Sequence, residues 1–201
     1  MGLGGALLLA LSGCAALPGY AAGPAASTAP APVVTKPIPV LTIPIPKPRT
    51  AAPALKTTGV AWPAVLASLA GYGQWLLANP DPALVGTIAE PGCAMSNLIS
   101  QQAAGLLGDR AYLKPSPPVF SAVTGPSAVS GNSVTLAVTA SRPVEPVLSR
   151  TGAKQIAVFD ALPPTDLLIT LYRGADTKWR LCTVEPRDDT GASDDPSVPL
   201  L

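Results

Sequence analysis

Any chemistry in this chain rests on carboxylates, hydroxyls and three cysteines, because its 201 residues include no histidine. That absence excludes Ser/His/Asp triads, Cys/His dyads and His-ligated metal sites. The folded part carries the carboxylates Asp81, Glu90, Asp109, Glu145, Asp160, Asp166 and Asp176. Asp81 precedes Pro82 and reads as a helix cap, Asp109 follows a helix end, and Asp166 and Asp176 fall in predicted turns. Asp160 and Glu90 are left as the carboxylates that could face a pocket, and neither has a neighbour in sequence that would tune it. Tyr72, Trp75, Phe120, Phe159, Tyr172 and Trp179 could line a ligand cavity, but their amphipathic spacing reads as core. The chain has no phosphate-binding loop, no nucleophile elbow, no C-x-x-C and no calcium loop. Arg142, Arg150 and Lys154 gather around one connection and form at most a weak anion patch. Basic and acidic side chains nearly balance from Thr58 to Val184, eight against seven, which disfavours nucleic acid as a partner. The expectation is a non-enzymatic protein with no cofactor and no metal.

The elements around these residues divide the chain into four parts. Residues 1–13 open an apolar, uncharged run, MGLGGALLLALSGC, which reads as an export signal. It is too short to span a membrane, which takes about 20 apolar residues. Leu11, Ser12, Gly13 and Cys14 resemble the bacterial lipobox. The resemblance covers four residues and implies cleavage after Gly13, a diacylglyceryl group on the Cys14 thiol and membrane attachment on the extracytoplasmic face. Signal peptides ordinarily begin with a basic segment. Met1 to Gly5 has none, which fits a true start upstream or a misassigned Met1.

Residues 14–57 then read as a proline-rich stalk. TKPIPVLTIPIPKPR at Thr35 to Arg49 removes backbone donors and biases the residues between prolines to extended geometry. At about 3.1 Å per residue such a stalk reaches on the order of 100 Å. Its charges are all basic, Lys36, Lys47, Arg49 and Lys56, and are weakly attractive to an anionic surface. At the other end, residues 187–201 read as a disordered acidic tail containing Asp188, Asp189, Asp194 and Asp195.

Between stalk and tail, residues 58–186 read as one domain. Trp62, Val65, Leu66, Leu69, Tyr72, Gly73 and Leu76 recur at helical spacing, so Trp62 to Ala78 is a predicted helix, with Pro63 suited to its first turn. A short helix follows from Pro82 to Ile88 or Ala89, then a third from Met95 to Leu107, with Gly108 placed to end it. The period then changes to two. Predicted strands cover Ala111 to Leu113, Val119 to Val123, Ser133 to Thr139, Gln155 to Phe159, Leu167 to Tyr172 and Lys178 to Val184. Helices first and an antiparallel meander afterwards define an α+β domain with helices packed on one face of a curved sheet.

This order resembles the nuclear transport factor 2-like (SnoaL-like) superfold, and YGQWLLANPDPALVGTIAEPGC at Tyr72 to Cys93 is similar to the first helices of exported actinobacterial members. The resemblance implies a cone-shaped sheet, whose interior holds an Asp or Glu base in members that are enzymes. With Cys14 lipidated, Cys93 and Cys182 remain as an even pair in an exported domain. A disulfide would tie the third helix to the last strand and bring their Cα atoms within roughly 7 Å; the alternative is two separate buried thiols. The functional expectation is a lipid-anchored, non-catalytic binding or scaffolding module of the cell envelope whose partner is another envelope protein. The alternative is a carrier or sensor for a small apolar ligand held in the cone.

Overall fold

A computed structural model describes residues 51–187, which belong to one compact unit. Residues 1–50, which include Cys14 and the segment read as a leader, and residues 188–201 of the segment read as a tail lie outside the described residues.

Helix α1 (Trp62–Ala78) has the predicted bounds, with Pro63 in its first turn. It buries Trp62, Val65, Leu66, Leu69, Leu76 and Leu77. A 3-10 turn over Pro82–Thr87 follows, capped as expected by Asp81, whose carboxylate accepts from the Ala83 N–H at 3.0 Å. Helix α2 (Ala94–Gly108) buries Met95, Ile99, Ala103 and Leu106. Gly108 is its last residue, but the left-handed position that closes the turn is taken by Arg110 at φ 51°.

Seven strands follow: β1 (Ala111–Leu113), β2 (Val119–Thr124), β3 (Ser133–Arg142), β4 (Glu145–Ser149), β5 (Gln155–Phe159), β6 (Leu162–Arg173) and β7 (Trp179–Pro186). They form two antiparallel sheets, ordered β1-β4-β5 and β2-β3-β6-β7. Pairing registers show that these are two halves of one bent meander. Arg142 pairs with Leu162 in one sheet and Glu145 with Phe159 in the other, so the same register carries across the bend between them. Leu113 opposite Val147 and Val119 opposite Ser141 continue a second register in the same way. The sheet bends where proline interrupts the ladder, at Pro115 to Pro118, at Pro143 and at Pro163.

Strand β4 was not among the predicted strands, because Pro143 and Pro146 obscure its alternation. Pro146 lies where the β1–β4 ladder stops. Its carbonyl still accepts from the Lys114 N–H at 2.9 Å, but it has no N–H to return the bond. Strand β6 begins at Leu162, earlier than its apolar alternation suggested, so Asp166 sits in a strand and not in a turn. Its carboxylate accepts from the Thr139 hydroxyl at 2.6 Å across the ladder.

The helices cover the inner face of the sheet. Val134, Leu136, Val138 and Ala140 alternate inward on β3, Leu167, Ile169 and Leu171 on β6, and Trp179, Leu181 and Val184 on β7. Trp62 and Trp179 meet edge to face, with ring centroids 5.5 Å apart, and their indole N–H groups donate to Pro126 and Gly59 carbonyls, each at 2.8 Å. Gly125 lies against Trp62. A Cβ there would stand 2.8 Å from the Trp62 ring and would also strike Leu136, so glycine is required by contact. The free edge of β7 is covered by other backbone. Trp179 donates to Thr57, Leu181 donates to Ile88, and Glu90 donates to Leu181, at 2.7, 2.8 and 2.9 Å. Leu55 and Thr57, at the end of the segment read as stalk, therefore already pack on the domain.

Candidate functional site

Three features of the domain concentrate chemistry: the disulfide, a buried polar cluster at the bend of the sheet, and a surface cleft.

Cys93 and Cys182 form a disulfide with Cα atoms 4.8 Å apart and a sequence separation of 89. Cys93 caps the N-terminus of α2. Cys182 lies in β7 where the register slips by one residue between Thr170 and Leu171, so that Leu171 faces Leu181 and Thr170 faces Thr183. Cys182 is the extra residue of that bulge, and a bulge re-aims a side chain that strict alternation would fix. The bond thus ties helix to strand.

The polar cluster joins α1 to the sheet bend. Glu145 is fully buried and Arg142 is 4% exposed, and their side chains pair at 2.6 Å between Nη1 and Oε2. Residues three apart on a regular strand point to opposite faces. These two share the inner face because the Pro143-Val144 step breaks the alternation. Gln74, 2% exposed on α1, donates through Nε2 to the second Glu145 oxygen at 2.6 Å and accepts the Ser116 N–H at 2.7 Å. Arg142 also donates to the Asp160 carbonyl at 3.1 Å, which links the two adjacent bends. Burial pushes the Glu145 carboxyl above its ordinary range, against the opposing pull of the Gln74 hydrogen bond and the Arg142 charge. A carboxylate hydrogen-bonded at one oxygen by Gln74 and ion-paired at the other with Arg142 is committed to structure, and it clasps the bend.

The cleft is an open depression of about 610 Å³ lined by Glu90, Asn132, Tyr172, Arg173, Gly174, Ala175 and Thr177. Arg173 lies with its guanidinium 5.1 Å from the centre of the Trp179 ring and donates to the Gly131 carbonyl at 3.0 Å. Beside the cleft Arg180 is held in a two-pronged pair with Asp176, at 2.9 and 2.7 Å, and stands 3.9 Å from Glu90. That pairing holds the exposed Asp176 carboxyl below its ordinary range and the Arg180 guanidinium above its own.

Of the two carboxylates expected to face a pocket, Glu90 does line a cleft, whereas the exposed Asp160 contributes its backbone carbonyl to the clasp. The group that sequence reasoning missed is Glu145 with its partners Arg142 and Gln74. The only signal for it was an Arg and a Glu bracketing a proline. Arg142, Arg150 and Lys154 do not form an anion patch. Arg142 is buried in the clasp, Arg150 donates to the Ala111 carbonyl at 3.2 Å, and Lys154 is exposed.

Among the described residues no three His, Cys, Asp or Glu side chains cluster as a metal site would require, and no helix is long and apolar enough to cross a membrane. No protein-family model and no curated protein matches the chain. Among solved structures, the intermembrane space region of the chloroplast protein ARC6 aligns with 67% of this chain and 98% of its own, at 8% identity and a TM-score of 0.45.

Proposed function

We propose that this chain is a lipid-anchored protein of the extracytoplasmic face of a bacterial cell membrane, and that its domain, an NTF2-like cone, is a non-catalytic module that binds or scaffolds another envelope component. The observation that carries this reading is the Cys93–Cys182 disulfide. Structural disulfides persist in oxidising compartments outside the cytosol, and this one follows an apolar leader that ends in the LSGC box at Leu11 to Cys14. The single bent meander with helices on its inner face supports the cone. The buried carboxylate, paired with Arg142 and Gln74, supports a structural role for the interior over an acid-base one. The polar, open cleft gives little support to an apolar-ligand carrier.

Expression in a bacterial host that processes lipoboxes, with labelled fatty acid in the medium, tests the proposal. Wild-type protein should carry label and sediment with membranes, and Cys14→Ser should lose the label and appear in the soluble or secreted fraction. An unlabelled wild type, or a Cys14→Ser variant that stays in the membrane fraction unchanged, would overturn it.

A further inference from the structure

Among the described residues, strand β5 is the unprotected edge of this sheet. Its sequence, QIAVF at Gln155–Phe159, contains no charge and no proline, and every residue in it is exposed. Ile156, Val158 and Phe159 expose 51%, 43% and 37% of their surface. Edge strands of this kind template pairing with another chain unless they are covered, charged, shortened or interrupted. The other edges of the meander have such protection. Backbone from Thr57 and from Ile88 to Glu90 covers β7, prolines bracket β2, and β1 is three residues long.

The backbone of β5 points the same way. The Pro146 carbonyl is turned to β1, where it accepts from Lys114. Pro146 and Val158 are therefore opposite each other at a rung without mutual hydrogen bonds, and Val158 directs its own N–H and C=O away from β4. Among the described residues no hydrogen bond reaches them from outside the sheet. The register with β4 also leaves Ile156 as an extra residue, which accounts for its high exposure.

We infer that β5 pairs antiparallel with β5 of a second copy of this chain about a two-fold axis at Ala157, joining two three-stranded half-sheets into one of six strands. The sequence is self-complementary about that point. Ile156 falls opposite Val158 of the second copy on either side of Ala157. Both apolar side chains gain an apolar neighbour, twice over by symmetry. The pairing uses up the edge and so closes at the dimer. It is independent of the lipid anchor and of the domain's envelope role.

The test uses the full chain carrying Cys14→Ser, studied by sedimentation velocity across a concentration series. A reversible dimer is expected. Ile156→Lys and Val158→Lys should each weaken it about tenfold, by setting a charge against an apolar side chain at two places, and Ile156→Glu with Val158→Lys, which sets opposite charges across the axis, should recover most of that loss. Val158→Pro should abolish the dimer with the far-ultraviolet circular dichroism unchanged, because it removes an outward donor and no bond to β4. Ala157→Cys should form an intermolecular disulfide on oxidation, much faster than Thr151→Cys in the neighbouring turn. A wild type that is monomeric at about 0.1 mM would overturn the proposal, including the case in which the Val158 amide is protected from hydrogen exchange because another part of the same chain covers β5. A dimer indifferent to both Ile156→Lys and Val158→Lys, or equal cross-linking rates at the two engineered thiols, would overturn it as well.

Discussion

Cutting the Cys93–Cys182 bond is the perturbation whose magnitude follows most directly from the structure. The bond closes a loop of 89 residues, and the chain-entropy relation assigns about 4.5 kcal/mol to restraining an unfolded chain of that span. For a domain of roughly 130 residues the unfolding entropy near the midpoint is about 270 cal/mol/K, so a loss of this size lowers the melting temperature by about 16 °C. Cys93→Ala and Cys182→Ala should each produce this shift, and the double variant should fall no further, because one bond is lost in all three. Scanning calorimetry of wild type, the variants and reduced wild type measures it. The far-ultraviolet signal at low temperature should survive, since β7 keeps its pairing with β6 and its backbone bonds to Ile88 and Glu90. The reasoning fails if the reduced protein melts with the oxidised one while both thiols react freely with an alkylating agent. It also fails if the double variant loses about twice what either single one does, since the cysteines would then be acting as separate core residues.

Other expectations follow from the clasp and the core. Arg142→Leu should cost about 3–5 kcal/mol by urea unfolding because it leaves Glu145 buried beside no cation, whereas Arg142→Leu with Glu145→Leu should recover most of that loss. The raised Glu145 carboxyl fixes the sign of a pH effect. Its favourable contribution is fully present below the ordinary value of 4.5 and is lost as pH rises through the higher folded value. Stability should therefore climb as pH falls from neutral towards 4.5, and Glu145→Gln should flatten that slope relative to wild type. Gly125→Ala should cost about 1–3 kcal/mol through contact with Trp62 and Leu136, measurable as a lowered unfolding midpoint with an unchanged m-value.

Much of the architecture was legible in the sequence, and the exceptions share a physical cause. Helix α1 could be read to its terminal residues because a 3.6-residue apolar stripe runs from Trp62 to Leu77 and Asn79-Pro80 stops it. Strands β1, β2, β5 and the apolar half of β6 stood out by alternation between turn residues. Strand β4 and the first part of β6 were hidden by Pro143, Pro146, Pro163 and Pro164, which count against a central strand but here mark where the sheet bends. The same prolines concealed the clasp. Strand periodicity places Arg142 and Glu145 on opposite faces, and only the broken step between them turns both inward. Gln74 was unreadable as a partner because it lies 71 residues from Glu145 in sequence, on a helix whose apolar stripe explained that face without it. The cysteine pairing was legible only as one of two readings, beside two separate buried thiols, and the bulge that presents Cys182 has no sequence signature.

The central claim is that Cys14 is the membrane anchor, and the mature N-terminus tests it most directly. Mass spectrometry of the N-terminal peptide of protein extracted from membranes should show a chain that begins at Cys14 and carries a diacylglyceryl group on its sulfur. A peptide with the residues before Cys14 still attached, or a mature Cys14 whose thiol is unmodified, would contradict the account.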